Sequence, residues 1–391
     1  MLERQFTDDQ RQFRDAYRRF LADEIAPHME QWRENGIVDR AAFRKAGALG
    51  FLMIWPDEEL GGLGDTDFRF EQIIIEEQHY ALVADWFAPL HSRLVGPYFT
   101  RFGSPEQQRR FLPRCASGEH ILAIAMTEPG TGSNVAGIKT TAVDDGDSFV
   151  LNGSKTYISN GINADIVIVA AKTGAAQSRD IGLFVVERGM PGFERGRMLK
   201  KMGNKAQDTA ELFFENVVVP KSNVLGDPTQ GFRYLMEGLA EERLIGAVGF
   251  LAAAQKAFDL TVEFVSDRKV FGKSVSEFQN TQFKLADLRT KLDIQQVYVD
   301  QQVAALNAGK LTAVDAAKSK LATSELLADV VDAGVQFHGG AGFMDEYPIS
   351  RMYCDARGAR IYAGTSEIMK LIISRSIFSD RLEPFVDRSA Y

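Results

Sequence analysis

The sequence predicts an α+β chain in three parts: an N-terminal all-α domain over 1–120, a middle β domain over 121–228 and a C-terminal helix bundle over 229–391. Three observations predict it. Apolar residues recur at helical spacing to about residue 118. Short β-branched and aromatic runs, bounded by Gly, Asn, Asp or Pro, then follow to about residue 225. Helical spacing returns from about 230 to 378, a stretch whose only proline is Pro348.

The elements follow in order. Thr7 with Gln10 makes a capping-box start for the first helix. "DFRFEQIIIEEQHYAL" and "SPEQQRRFLPRCASG" carry helical spacing. "DSFVLNGSKTYISNG", "ADIVIVAAK", "DIGLFVVERG" and "TAELFFENVVVP" read as strands. No internal repeat and no low-complexity linker interrupts the pattern.

Composition narrows the function. At 45% hydrophobic and 25% charged, the 391 residues match an ordinary globular protein that buries a large core. A net charge of −8 argues against nucleic acid or an anionic membrane surface as the main partner. Cys115 and Cys354 are the only cysteines, too few for a disulfide framework or a cysteine-rich metal site, so a reducing compartment fits. The charged N-terminus lacks an apolar signal core, and nowhere do about 18 apolar residues run together. The expectation is a cytoplasmic protein without a membrane span.

Several chemistries drop out. There is no G-x-x-x-x-G-K-[ST] loop, and "HGGAG" (338–342) lacks the G-x-S-x-G elbow of a hydrolase. The five histidines show no i, i+4 pairing, so no metal is expected, and His338 reads as a structural residue. What remains are donor-rich loops: "AMTEPGTGSN" (125–134), "YIS" (157–159), "RKVFGK" (268–273), "QFHGGAG" (336–342) and "YAGTSE" (362–367). Each alone is a tight turn, strand end or helix start. Five together, without metal ligands or a nucleophile dyad, suggest a large polar cofactor that the protein positions.

With "LNGSKTYISNG", "KMGNKAQDTAELFFENVVVP", "QFHGGAGFMDEYPISRMYCDAR" and "YAGTSEIM", these stretches resemble the acyl-CoA dehydrogenases from about residue 5 to 380. Thr131 and Asn134 depart from the pattern, where relatives usually have a small residue and Asp. The resemblance implies FAD, an oligomer (commonly a tetramer), and electron transfer to electron-transferring flavoprotein. It places Met126 and Thr127 along the isoalloxazine ring, Ser133 at the pyrophosphate or the acyl-CoA, and Tyr157 and Ser159 on the next cofactor strand. Ser159 would hydrogen-bond near flavin N5. Arg268, Phe271 and Gln279, with Gln336, Gly339 and Gly340, would reach the ADP part of FAD across a subunit interface. Thr365 and Glu367 complete the cofactor set.

Desaturating a thioester removes an α-proton and a β-hydride, so a base must stand near the α-carbon and donors near the carbonyl oxygen. In much of the family that base is a Glu at the position of Ala363. In one subset, which includes isovaleryl and long-chain types, it is a Glu just before an Arg on an earlier helix. Glu242–Arg243 in "GLAEERLIGAVGF" fits that subset. Helical spacing alone does not choose between Glu241 and Glu242, which point about 100° apart. Small Gly246 and Gly249 on the stripe of Glu242 favour it. Arg243 would orient the base or the CoA. The Ala363 N–H would donate to the thioester carbonyl, with Gly364 beside it. Burial would raise the pKa of the base.

Similarity is greatest to the long-chain type, which implies a long or methyl-branched acyl-CoA. A helix bearing Trp86, Phe87 and Leu90 could floor its tunnel, although each residue taken singly reads as core packing. A non-catalytic FAD-binding relative and an oxygen-reacting oxidase are the alternatives.

Overall fold

A computed structural model describes Arg4, residues 6–174 and residues 180–378. It divides into two compact units, one ending at Gly238 and the other beginning at Leu239.

The first unit opens with helices α1 (Asp8–Phe20), α2 (Met29–Asn35), α3 (Arg40–Ala48), α4 (Phe68–Tyr80), α5 (Pro97–Phe102) and α6 (Pro105–Ala116). Helices α1 and α6 both start at capping boxes, Thr7 with Gln10 and Ser104 with Gln107. Each satisfies two backbone N–H groups that a helix start leaves open. The apolar face of α1, with Tyr17 and Phe20, packs in one cluster with Phe43, Phe51 and Trp86, whereas Phe111, Leu112 and Cys115 of α6 belong to another.

Trp86 corrects one expectation. It is not on a helix flooring a tunnel: Leu82 takes a left-handed φ of 60° after α4, and Trp86 lies in the irregular segment that follows. Its ring is fully buried, 5.4 Å from Phe20 and 6.1 Å from Phe43. Leu90 begins a separate π-helical turn, Leu90–Val95, and belongs with Phe87 to a different cluster. His91 in that turn donates from Nε2 to the Cys115 carbonyl at 2.9 Å and accepts the Leu122 N–H at Nδ1 at 3.1 Å. That pairing fixes a neutral tautomer.

Strands β1 (Leu122–Ala125), β2 (Thr141–Asp144), β3 (Ser148–Ser159), β4 (Ile166–Lys172), β5 (Ile181–Glu187), β6 (Phe193–Met198) and β7 (Thr209–Pro220) form one mixed sheet. The order runs β1, β4, β2, β3, β7, β6, and β5 lies antiparallel along β4. Strands β4 and β5 are buried almost throughout, which explains their unbroken apolar runs. In β3 the pairing with β7 goes from Lys155↔Leu212 to Ile158↔Ala210, so β3 holds one extra residue there.

Helix α7 runs Gly231–Asp267. It is long and apolar enough to cross a membrane, which a search for an unbroken apolar run misses, yet most of its apolar window is buried within the protein. A core helix has the same composition. After it come the hairpin β8 (Lys269–Val270) and β9 (Lys273–Ser274), then α8 (Gln279–Asn307), α9 (Ala313–His338), α10 (Pro348–Ala356) and α11 (Ser366–Ile377). Helix α9 packs against α8, α10 and α11 and is the centre of the bundle. Pro348 stands in the first turn of α10, where its missing N–H costs nothing.

Candidate active site

In the middle domain the 126–134 loop is tied down by one carboxylate. Glu128 is buried and accepts hydrogen bonds from the N–H groups of Lys139 (2.6 Å) and Thr140 (2.9 Å) and from Lys155 Nζ (2.8 Å). The ammonium also donates to the Met126 carbonyl at 3.1 Å. Burial opposes the Glu128 charge, but these donors outweigh it and hold its pKa below the ordinary value. Burial pushes Lys155 down to about 8 against the pull of Glu128.

The Thr127 carbonyl accepts the Thr156 N–H at 2.9 Å, which joins the loop to β3 at its extra residue. There Tyr157 takes a φ of 60° and stays 69% exposed. Among the described residues the hydroxyls of Thr127 and Ser159 make no hydrogen bond, and Ser133 is exposed. Thr131, one of the two departures from the family pattern, donates to the Gly137 carbonyl at 3.1 Å and closes the turn. Gly130 and Gly132 face open space where a side chain would stand.

In the second unit the β8–β9 turn needs positive φ at both central residues, 49° at Phe271 and 82° at Gly272. Phe271 projects 96% exposed. Arg268, Gln279 and Gln336 are exposed and form no side-chain hydrogen bond or ion pair among the described residues. At Gly339 (φ 60°) and Gly340 a side-chain carbon would meet no atom within 4 Å. His338 beside them is buried, stacked on Phe264 at 4.1 Å, and bonded through Nδ1 to the Gly334 carbonyl.

The 361–367 segment is strained. Ala363 has φ 53° and Gly364 φ 95°. A left-handed residue with a side chain costs of order 1–3 kcal/mol and calls for a task. A side chain on Gly364 would meet Met369 Cε at 2.6 Å, with Arg243 Nη2 at 4.0 Å. Thr365 caps α11 by accepting the Ile368 N–H, and Glu367 lies in that helix's first turn. The Glu367 carboxyl sits below its usual range because its own N–H and Thr365 donate to it. Both therefore have a capping role besides any cofactor contact.

On α7, Glu241, Glu242 and Arg243 are all buried, at 5%, 8% and 7% exposure, so burial does not choose between the two carboxylates. The Arg243 pKa is lowered by burial and pulled back by the charge of Glu242, and its buried Nε has no partner. Nothing in the linear pattern points to Lys320 on α9. It is fully buried and donates from Nζ to the Gly364 carbonyl at 2.6 Å.

The first unit offers open glycines, free hydroxyls and an exposed ring, and the second offers open glycines, exposed guanidinium and amide groups and an exposed ring; each by itself carries groups of the kind that a flavin ring or a pyrophosphate takes. They fit FAD. Among the described residues no cluster of His, Cys, Asp and Glu could hold a metal ion.

Comparison with known proteins agrees. Models described as acyl-CoA dehydrogenase N-terminal, middle and C-terminal domains match residues 7–119, 123–217 and 229–378. Among curated proteins, the mitochondrial long-chain specific acyl-CoA dehydrogenase of Sus scrofa is 43% identical over 97% of this chain and 89% of its own length. The mitochondrial isovaleryl-CoA dehydrogenase of Oryza sativa is 36% identical over 96% and 92%. A crystal structure of an acyl-CoA dehydrogenase from Geobacillus kaustophilus superposes with a TM-score of 0.94 at 44% identity, covering 96% of this chain and all of that one. The chain belongs to the acyl-CoA dehydrogenase family, whose members are FAD-dependent oxidoreductases.

Proposed function

We propose that this protein desaturates a long-chain or methyl-branched acyl-CoA between its α- and β-carbons, with Glu242 as the base. The observation that carries the assignment is the pairing of a strained loop residue lacking a carboxylate, Ala363, with a buried Glu242 beside Arg243. Bound FAD would accept the β-hydrogen as hydride. Glu242 takes the α-proton, the electron pair of that C–H bond forms the new double bond, and the β-hydrogen leaves with its own pair. The Ala363 N–H holds the thioester oxygen as enolate charge builds. Arg243 stands next to the base in the chain, and its charge interacts with that of Glu242.

The substrate class is supported by the 43% identity to a long-chain enzyme. A homo-oligomer, a tetramer on the family pattern, is supported by the apolar side chains that α8 exposes, Phe283 at 61%, Ile294 at 60% and Val297 at 51%. Electron-transferring flavoprotein is the proposed acceptor. Anaerobic titration with acyl-CoAs graded in length and branching tests the substrate class. Long or methyl-branched chains should bleach the flavin fastest, and a preference for short straight chains would sink the proposal. Faster turnover with oxygen than with the flavoprotein would make it an oxidase.

A further inference from the structure

Lys320 has no ion-pair partner among the described residues, although its whole side chain is buried. Burying an ammonium costs several kcal/mol, and a Met of similar volume would fill the space without that cost. Its hydrogen bond is to one backbone carbonyl, Gly364, in the peptide that follows two left-handed residues. Five residues along α9, Glu325 Oε1 accepts the Ser366 hydroxyl at 2.5 Å, while Arg360 Nη1 donates to Oε2 at 3.2 Å. One helix thus holds the strained loop at 364 and again at 366.

We propose that Lys320 and Glu325 are positioning residues, which fix the loop so that its Ala363 N–H stays aligned on the thioester carbonyl. This rests on the role given to Ala363 above. The energetic logic is that left-handed Ala363 would relax toward ordinary φ if the loop were free. A relaxed loop would turn its N–H away from the oxygen, and a displacement of about 1 Å costs about 100-fold in rate. Burial, and after it the nearby Arg243 charge, lower the Lys320 pKa to about 8.

The test uses the FAD-loaded protein and two variants. Lys320→Met removes the first tie. Ser366→Ala removes the second and leaves Glu325 paired with Arg360. The acyl-CoA that reduces the wild type fastest is supplied as its 2-enoyl product with 13C at the carbonyl, and the carbonyl stretch is read by difference infrared spectroscopy. A held donor lowers that frequency. Both variants should move it back toward the value in water. The limiting flavin-reduction rate should fall about 10-fold for Ser366→Ala and about 100-fold for Lys320→Met, with acyl-CoA affinity within about 3-fold. Wild-type frequency and rate in both variants would overturn the proposal. If Lys320→Met does not fold, Ser366→Ala decides by the same two readings. Glu242→Gln separates this from the base assignment: it should slow reduction by about 10²–10⁴-fold yet leave the carbonyl frequency unchanged. Wild-type reduction in Glu242→Gln would remove the base while the frequency shifts still report on the loop.

Discussion

Lys155 Nζ lies 2.8 Å from Glu128 Oε1, 27 residues away in sequence, and both side chains are buried. Each neutralises the other, and together they hold the 126–128 backbone against β3. Removing one partner strands a charge in the interior, which costs about 3–5 kcal/mol. Glu128→Gln and Lys155→Met should each lower the unfolding free energy by that order in denaturant titration. Both should also weaken FAD retention on gel filtration. Wild-type stability in both variants would show that the pair contributes nothing.

Glu242→Gln should keep the fold, FAD and acyl-CoA binding, because it preserves shape. It should lose flavin reduction by about 10²–10⁴-fold in rapid mixing. Glu241→Gln should change that rate little. Adding Ala363→Glu to Glu242→Gln should restore part of the rate, since the loop position addresses the same α-carbon.

His91 gives a prediction about acid. Burial lowers its pKa from 6.5 to about 4. Between those values the unfolded chain binds a proton that the folded chain refuses, so this residue's contribution is whole above pH 6.5 and is lost as pH falls toward 4. Its share of the slope approaches about 1.4 kcal/mol per pH unit. Denaturant midpoints followed over that range should fall less steeply for His91→Gln than for the wild type.

Phe271 is a left-handed residue exposed to solvent, a conformation that Asn tolerates better. Phe271→Asn should leave thermal stability of the apoprotein unchanged or slightly raised. FAD affinity should fall by up to about 10-fold, the value of one aromatic contact. Unchanged affinity by fluorescence titration would remove Phe271 from the cofactor site.

Gly364→Ala combines a φ of 95° with a clash on Met369. It should destabilise the protein by about 1–3 kcal/mol. It should also slow flavin reduction, read against Gly309→Ala, which has the same kind of backbone strain (φ 66°) but open space around it.

Local signals made the fold legible. The capping box at Thr7, the helical spacing of "SPEQQRRFLPRCASG" and the β-branched runs of β4 and β5 announce their elements without reference to the rest of the chain. What stayed hidden depends on distant partners. Lys155 and Lys320 look like surface residues in a linear pattern, because lysine is almost never fully buried unless something far along the chain holds it. Trp86 and its neighbours carry an apolar pattern too short to show that Leu82 has already broken the helix. On α7 the spacing leaves Glu241 and Glu242 open, and since both are buried the choice passes to chemistry.

The extra residue in β3 acts as a phase shifter. Up to Lys155 the odd-numbered side chains Phe149, Leu151 and Lys155 point inward, whereas beyond it the even-numbered Ile158 and Asn160 are the buried ones. Deleting a single residue at 156 or 157 would restore strict alternation and exchange the two faces of everything that follows. Ile158 would go to solvent, and the Ser159 hydroxyl would be turned into the apolar sheet core. A cofactor-facing strand and a core-facing strand are here the same stretch of chain, read one residue out of step.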